Sequence, residues 1–495
     1  MPTPLSGRES PCIPDAMSER NGSFLDTVVD RTLGNLRSLR MAWRDIASTA
    51  RGRLGGVPRP DLSRDDSETL REQLRDCMEA RGGVVSARAR AADLGRTYLA
   101  LNATGRMRFL HLLAEEFDVD HGAVAALGER FCSTRNDDER RKLERQLRAS
   151  LDPPRIKLLT QFNALPEGVK FLVDMRAELM PLGRNDPVLA GLELDLKGLL
   201  ASWFDVGFLE LKRITWDAPA ALLEKLIVYE AVHEIRSWTD LKNRLEADRR
   251  CFAYFHPRMT QEPLIFVEVA LVQGMSDNVQ SLLDETAPVG DPIEADTAIF
   301  YSISNCQTGL AGISFGDFLI KRVVDSLAAE LPHIKTFATL SPIPGFRSWL
   351  DKEIIEHGDE LLTQTERKSF QQQLPSELAA LGLGDLLARP RWHADEVLAQ
   401  ALRGPLMRLA ARYILLEKNS RGRALDPVAH FHLTNGARVE RLDWLADSSP
   451  KGLKQAAGLM VNYLYRLSEI EENHEAYTGE GRVAASAALT RLAKG

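Results

Sequence analysis

The sequence predicts an α+β chain in two parts, an all-helical region followed by a mixed α/β region with a central sheet. Two observations carry this. From about Phe24 to Leu182, apolar residues recur at three- and four-residue spacing, and strand signals are almost absent. Beyond Pro187, short apolar runs of strand length alternate with amphipathic segments, the pattern of a sheet covered by helices.

Within the first region, Arg64 to Glu79 carries Leu70 and Leu74 four apart on a charged background. Met107 to Phe117 gathers Phe109, Leu110, Leu112, Leu113 and Phe117 on one face. Asn136 to Leu151 is nearly all charge, with Leu143, Leu147 and Leu151 at four-residue spacing, and reads as a solvated helix or a subunit contact. Gly55-Gly56, Gly82-Gly83 and Pro153-Pro154 mark turns. Met180 to Pro187, with two prolines, a glycine and Asn-Asp, marks the boundary. After it, Pro263 to Val272 is a buried-strand pattern, and the runs near Ala298 and Phe337 read alike. Helices are expected over 276–284, 317–331, 394–417 and 452–470.

Composition narrows the function classes. The chain has 495 residues, 44% hydrophobic and 27% charged, enough for two or three domains. A net charge of −7 gives no basic face for nucleic acid. Cys12, Cys77, Cys132, Cys251 and Cys306 are scattered without a C-x-x-C pair, which fits neither a disulfide framework nor zinc and suits a reducing compartment. No apolar run reaches the about 18 residues of a membrane span. The first residues lack a secretory h-region, and Leu492 to Gly495 is not a Ser-Lys-Leu address, so cytoplasm is expected.

The chemistry concentrates between Thr297 and Phe346. An apolar strand, Ala298 to Ser304, meets the loop Gln307-Thr308-Gly309-Leu310-Ala311-Gly312-Ile313-Ser314-Phe315-Gly316, and a helix follows from Asp317. Strand, glycine loop and helix N-terminus can seat a phosphate on backbone N–H groups, although the loop lacks G-x-G-x-x-G and Gly-Lys-Ser/Thr; the glycines equally serve a plain turn. Lys321 and Arg322 either meet such an anion or solvate the helix. A second strand ends at Ser341-Pro342-Ile343-Pro344-Gly345-Phe346, whose prolines stiffen the turn around Ser341. His430 and His432 flank Phe431 and would share one face if extended; no third ligand stands near, so no metal is expected.

The runs TAIFYSISNCQTGLAGISFGDFLIKRVVDSL, TLSPIPGF and DPVAHFHLTNGA resemble the malonyl-CoA decarboxylase family, from roughly Glu193 to Tyr465 and more loosely before. Residues 1–20, a mix of Pro, Ser, Gly and both charge signs, are expected to be disordered; the resemblance implies a helical oligomerisation domain over 21–185 and a GNAT-like catalytic domain over 190–495. It implies conversion of malonyl-CoA to acetyl-CoA and CO2 without metal, biotin or other cofactor, in a homodimer or homotetramer. Residue by residue, it assigns catalysis to Ser341, His432, Tyr465 and Ser302. The CoA loop becomes Ala311, Gly312, Ile313, Ser314, Phe315, Gly316 and Asp317. Family members can carry an acidic residue where Ser314 stands, and commonly Asn where His430 stands; Tyr463 competes with Tyr465 for its role. The same fold supports a GNAT-type acyltransferase, and a non-catalytic acyl-CoA sensor is a third class.

Overall fold

Charge placement and capping explain why the first region is helical. In the computed structural model, which describes Trp43 and residues 58–79, 83–313 and 319–494, Asn136 caps the helix Asp137–Ser150. Its side chain accepts from the Asp138 and Glu139 amides at 3.0 Å. Asp137, Asp138 and Glu139 lie in the first turn and Arg148 in the last, complementing the helix dipole. Of its leucine stripe only Leu143 is buried, and Leu151 is exposed. The expectation for 1–20 concerns residues outside those described.

Helices Arg64–Met78, Val84–Ala100, Ala103–Glu116, His121–Ser133, Arg155–Asn163 and Gly168–Gly183 complete the helical part. The expected boundary is occupied by the end of Gly168–Gly183, which includes Pro181. Asp186 then caps a further helix, Pro187–Trp203, with Pro187 in its first turn. Helical structure thus continues to Trp203 before the sheet begins.

The sheet has eight strands: β1 Glu210–Ile214, β2 Arg249–His256, β3 Met259–Val272, β4 Thr297–Asn305, β5 Thr336–Thr339, β6 Ser341–Pro342, β7 Arg438–Asp443 and β8 Met460–Leu464. Their order is β1-β2-β3-β4-β5-β8-β6, with β7 also on β8. Only β4 and β5 run parallel, joined through the helix Leu319–Glu330, as a parallel pair requires a crossover. Their ladder stops at Phe300–Thr339, closed by the Leu340 amide on the Phe300 carbonyl at 3.0 Å. Past that point β4 continues to Asn305, whereas β6 pairs with β8.

Four local expectations are corrected. Only Val279–Leu282 is helical within 276–284. Arg441 and Asn462 hydrogen-bond the Ser276 carbonyl and Arg441 also takes that of Met275, holding this stretch out of a helix. Within 452–470 the helix Pro450–Ala456 ends at Ala457 and Gly458, both at positive φ, and β8 follows with every residue buried. A short apolar run has no periodicity to separate buried strand from buried helix. His430 and His432 lie on a helix, Pro427–Thr434, because Asp426 caps it and Pro427 fits its first turn. Finally, strand alternation aims Ser302 to one side with Phe300 and Ser304, yet Phe300 and Ser302 do not face the same way. Val269 pairs with Phe300 and Glu268 with Ser302, so Tyr301 is an extra residue that reverses the alternation.

Candidate active site

The turn that ends β5 and the helix that begins after Asp426 meet at two side chains. Ser341 Oγ lies 3.0 Å from His432 Nε2, both buried. His432 Nδ1 lies 2.8 Å from the Tyr465 hydroxyl. Ser341 Oγ donates to Thr339 Oγ1 at 2.9 Å, and that oxygen also accepts the Tyr463 amide at 3.1 Å. With the serine proton committed to Thr339, its lone pair faces an Nε2–H. A neutral imidazole then has a bare Nδ1, which accepts from Tyr465. Burial pushes His432 down to about 3 and holds the Tyr465 hydroxyl well above its usual range, so both are neutral near pH 7.

The Tyr463 ring stacks on the imidazole, 4.4 Å between centroids at 24°, and fixes its plane. Among the described residues no carboxylate bonds to His432; a phenol takes that position and sets the tautomer without adding charge. Among the described residues, the group able to gather around a cation is Glu353, Glu356 and His357 on one helix. Glu353 already pairs with Arg412.

Of the residues expected from sequence, the structure brings together Ser341, His432 and Tyr465. Ser302 is elsewhere: its hydroxyl bonds both oxygens of Glu230 at 2.8 Å, together with Ser304. Phe300, on the other face of β4, is the one that packs toward Tyr465. His430 points outward, its Nδ1 2.7 Å from the Tyr477 hydroxyl. Ala311, Gly312 and Ile313 form a turn after β4 in which the Ile313 amide bonds the Leu310 carbonyl at 3.1 Å. Ser314, Phe315, Gly316 and Asp317 lie outside the described residues. Lys321 pairs with Glu471 and Arg322 bonds the Leu209 carbonyl.

Sequence reasoning missed Thr339, Asp426, Glu230 and Arg176. The pair Asp426-Pro427 is a helix-start signal that could have revealed the cap. Arg176 is buried and donates to the Gly309 and Ala311 carbonyls at 2.6 and 3.0 Å, bracing the glycine loop from the helical part. Gly309 has no room for a side chain there, since a Cβ would lie 1.8 Å from the Val173 carbonyl oxygen.

The family description "Malonyl-CoA decarboxylase C-terminal domain" matches residues 207–495, and "Malonyl-CoA decarboxylase N-terminal domain" matches 117–204. The chain belongs to the malonyl-CoA decarboxylase family. The mitochondrial malonyl-CoA decarboxylase of Rattus norvegicus is 39% identical over 435 residues, covering 85% of each chain. That of Anser anser anser is 39% identical over 416 residues, 81% of this chain and 82% of its own. Two crystal structures of malonyl-CoA decarboxylases are similar throughout. The Rhodopseudomonas palustris protein has a TM-score of 0.78 at 41% identity, covering 86% of this chain and 99% of its own. The Agrobacterium vitis protein has 0.76 at 41% identity over the same shares. These relatives make the chain a member of a carboxy-lyase family. Where cytoplasm was expected, both animal relatives are named mitochondrial. Among the described residues no helix is long and apolar enough to cross a membrane.

Proposed function

We propose that this chain decarboxylates malonyl-CoA to acetyl-CoA and CO2, with Ser341 and His432 at the reacting centre. The observation that carries the reading is the 3.0 Å contact between these two side chains, 91 residues apart, in a chain of this family. The contact lies where the β4–β5 ladder ends, and the end of a parallel pair gives a thioester access to groups on both strands. Such an opening suits a GNAT-like cradle for CoA.

Cleavage of the C2–C3 bond releases CO2 and leaves its electron pair as a thioester enolate. On substrate binding the Ser341 hydroxyl turns its proton from Thr339 Oγ1 to the malonyl carboxylate or the thioester oxygen, where one placed donor supplies about 3–4 kcal/mol. The enolate carbon then takes a proton from His432, directly or through the Ser341 hydroxyl, and solvent restores it. A substrate carboxylate arriving beside the buried imidazole raises its proton affinity, readying the donor. Tyr465 keeps Nδ1 occupied, so the proton stays on the nitrogen that faces the substrate. Ser302 supports the site from the far face of β4 through Glu230. The homo-oligomer expected through the helical domain belongs to the same proposal.

The deciding experiment follows acetyl-CoA and CO2 from purified protein and malonyl-CoA. Product formation is expected, together with a fall of about 10²-fold or more in turnover for His432→Ala and at least about tenfold for Ser341→Ala. Release of free CoA only after an amine or thiol acceptor is added would favour acyl transfer. Folded protein that binds CoA esters without turning them over would favour a sensor.

A further inference from the structure

Lys197 lies on the helix Pro187–Trp203, its Nζ 3.5 Å and its Cε 3.8 Å from where a Cβ on Gly312 would stand. Gly312 has a φ of +72°, a conformation that glycine adopts without strain, so the ammonium rests against bare backbone. The ordinary partner for a lysine here is the residue four positions earlier, Glu193. That carboxylate is committed to Arg176, at 2.9 Å from Nε and 2.7 Å from one terminal nitrogen. Arg176 spends its remaining donors on the Gly309 and Ala311 carbonyls. Lys197 is left half-buried without a carboxylate among the described residues, directly beside the loop. Half-burying an ammonium without a counter-charge is unfavourable, and an anion at Gly312 would remove that cost.

We infer that Lys197, contributed by the helical part, binds a phosphate of the CoA ester over Gly312, with Arg176 and Glu193 fixing the loop and freeing the lysine. The inference rests on the reading of this loop as the CoA seat. It makes the helical part a contributor to substrate binding as well as a scaffold. The group bound is a phosphate monoester or a pyrophosphate, both of which CoA carries.

The test is calorimetric titration of the whole protein with CoA and with 3′-dephospho-CoA, for wild type, Lys197→Ala, Lys197→Met and Lys197→Arg. Loss of one charge-assisted contact should weaken CoA about tenfold in the Ala and Met variants, with Arg recovering most of it. The KM for malonyl-CoA should rise by the same factor while kcat changes less than about twofold. An equal loss with dephospho-CoA assigns the pyrophosphate; a loss confined to CoA assigns the 3′-phosphate. Natively melting Lys197→Met that binds CoA as tightly as wild type overturns the inference. Wild-type protein that binds CoA in this lysine-dependent way yet leaves malonyl-CoA intact would reject the proposed reaction and leave the lysine's role standing.

Discussion

The Gly345 amide donates to Asp426 Oδ2 at 3.3 Å, and this bond fastens the turn after Ser341 to the helix that carries His432. The other oxygen, Oδ1, caps that helix through the Val428 and Ala429 amides at 2.9 Å. The Tyr413 hydroxyl also bonds Asp426 and crowds Gly345, where a Cβ would lie 2.1 Å from it. One carboxylate therefore registers two segments whose side chains must meet within hydrogen-bond distance.

Substitution at Asp426 separates these duties. Asp426→Ala loses cap and tether together and should cost about 1–3 kcal/mol of stability, with turnover down at least about tenfold. Asn retains one acceptor oxygen for the cap but presents an N–H₂ to the Gly345 amide. Asp426→Asn should therefore melt closer to wild type than Ala does and still lose turnover. Wild-type kcat in a folded Asp426→Asn variant would show that the tether does not set the Ser341–His432 distance.

His432 supplies a pH signature. Burial pushes it down to about 3, below the roughly 6.5 of an unfolded histidine. Between these values the unfolded chain binds the additional proton, so this residue's contribution makes stability fall as pH drops through about 6.5 towards 3. His432→Gln removes the contribution. Urea unfolding at about pH 7 and pH 5 should show a smaller acid loss in the variant than in wild type. Equal losses would mean that the imidazole is protonated in the folded protein. The free enzyme should also show no His432 inflection in kcat/KM between about pH 5 and 8.

Ser302 and Glu230 should behave as one unit. The serine donates to both carboxylate oxygens, and the same carboxylate accepts the Val232 and His233 amides at 2.8 Å, holding the segment beneath β4. Ser302→Ala and Glu230→Gln should each lower stability, and the double variant should lose less than the sum, with a coupling of about 0.5–3 kcal/mol. Strict additivity would sever the pair.

Much of the architecture was legible because it follows from local pattern. β3, β4 and β5 announce themselves as apolar runs, and the helical part by its leucine spacing. The site was legible mainly as motif resemblance, since no local rule tells that Ser341 and His432 converge. Three features resisted for identifiable reasons. The bulge at Tyr301 depends on β3, so alternation within β4 alone aimed Ser302 to the wrong face. β8 is short and buried on all sides, which erases the polar–apolar contrast that periodicity needs. Arg176 and Lys197 lie in the helical part, and only the folded chain brings them to Gly309 and Gly312.

His430 and His432, two positions apart, should separate cleanly by function. On a helix they diverge by about 200°, which sends His430 to the surface and to Tyr477. His430→Asn should keep turnover within about twofold of wild type, since nothing in the Ser341–His432–Tyr465 chain touches it. A loss comparable to that of His432→Ala would move the proton donor to His430.

The two tyrosines of the β8 segment form the sharpest contrast. Tyr465 spends its hydroxyl on His432 Nδ1, whereas the Tyr463 hydroxyl is buried with no hydrogen-bond partner among the described residues and its ring supplies the stacking. Tyr463→Phe keeps the ring and removes an unsatisfied polar atom, so stability should hold or rise and turnover should stay close to wild type. Tyr465→Phe strands a buried Nδ1, which should cost about 1–3 kcal/mol and release the imidazole to the other tautomer. Its kcat should fall at least about tenfold with KM nearly unchanged, because the lost bond orients the proton donor and does not hold CoA. The measurement is steady-state kinetics with malonyl-CoA beside thermal melts for both variants. If Tyr463→Phe instead carries the kinetic defect and Tyr465→Phe is silent, the hydroxyl that sets the tautomer is the wrong one, and the assignment of Tyr465 as the group that orients His432 fails with it.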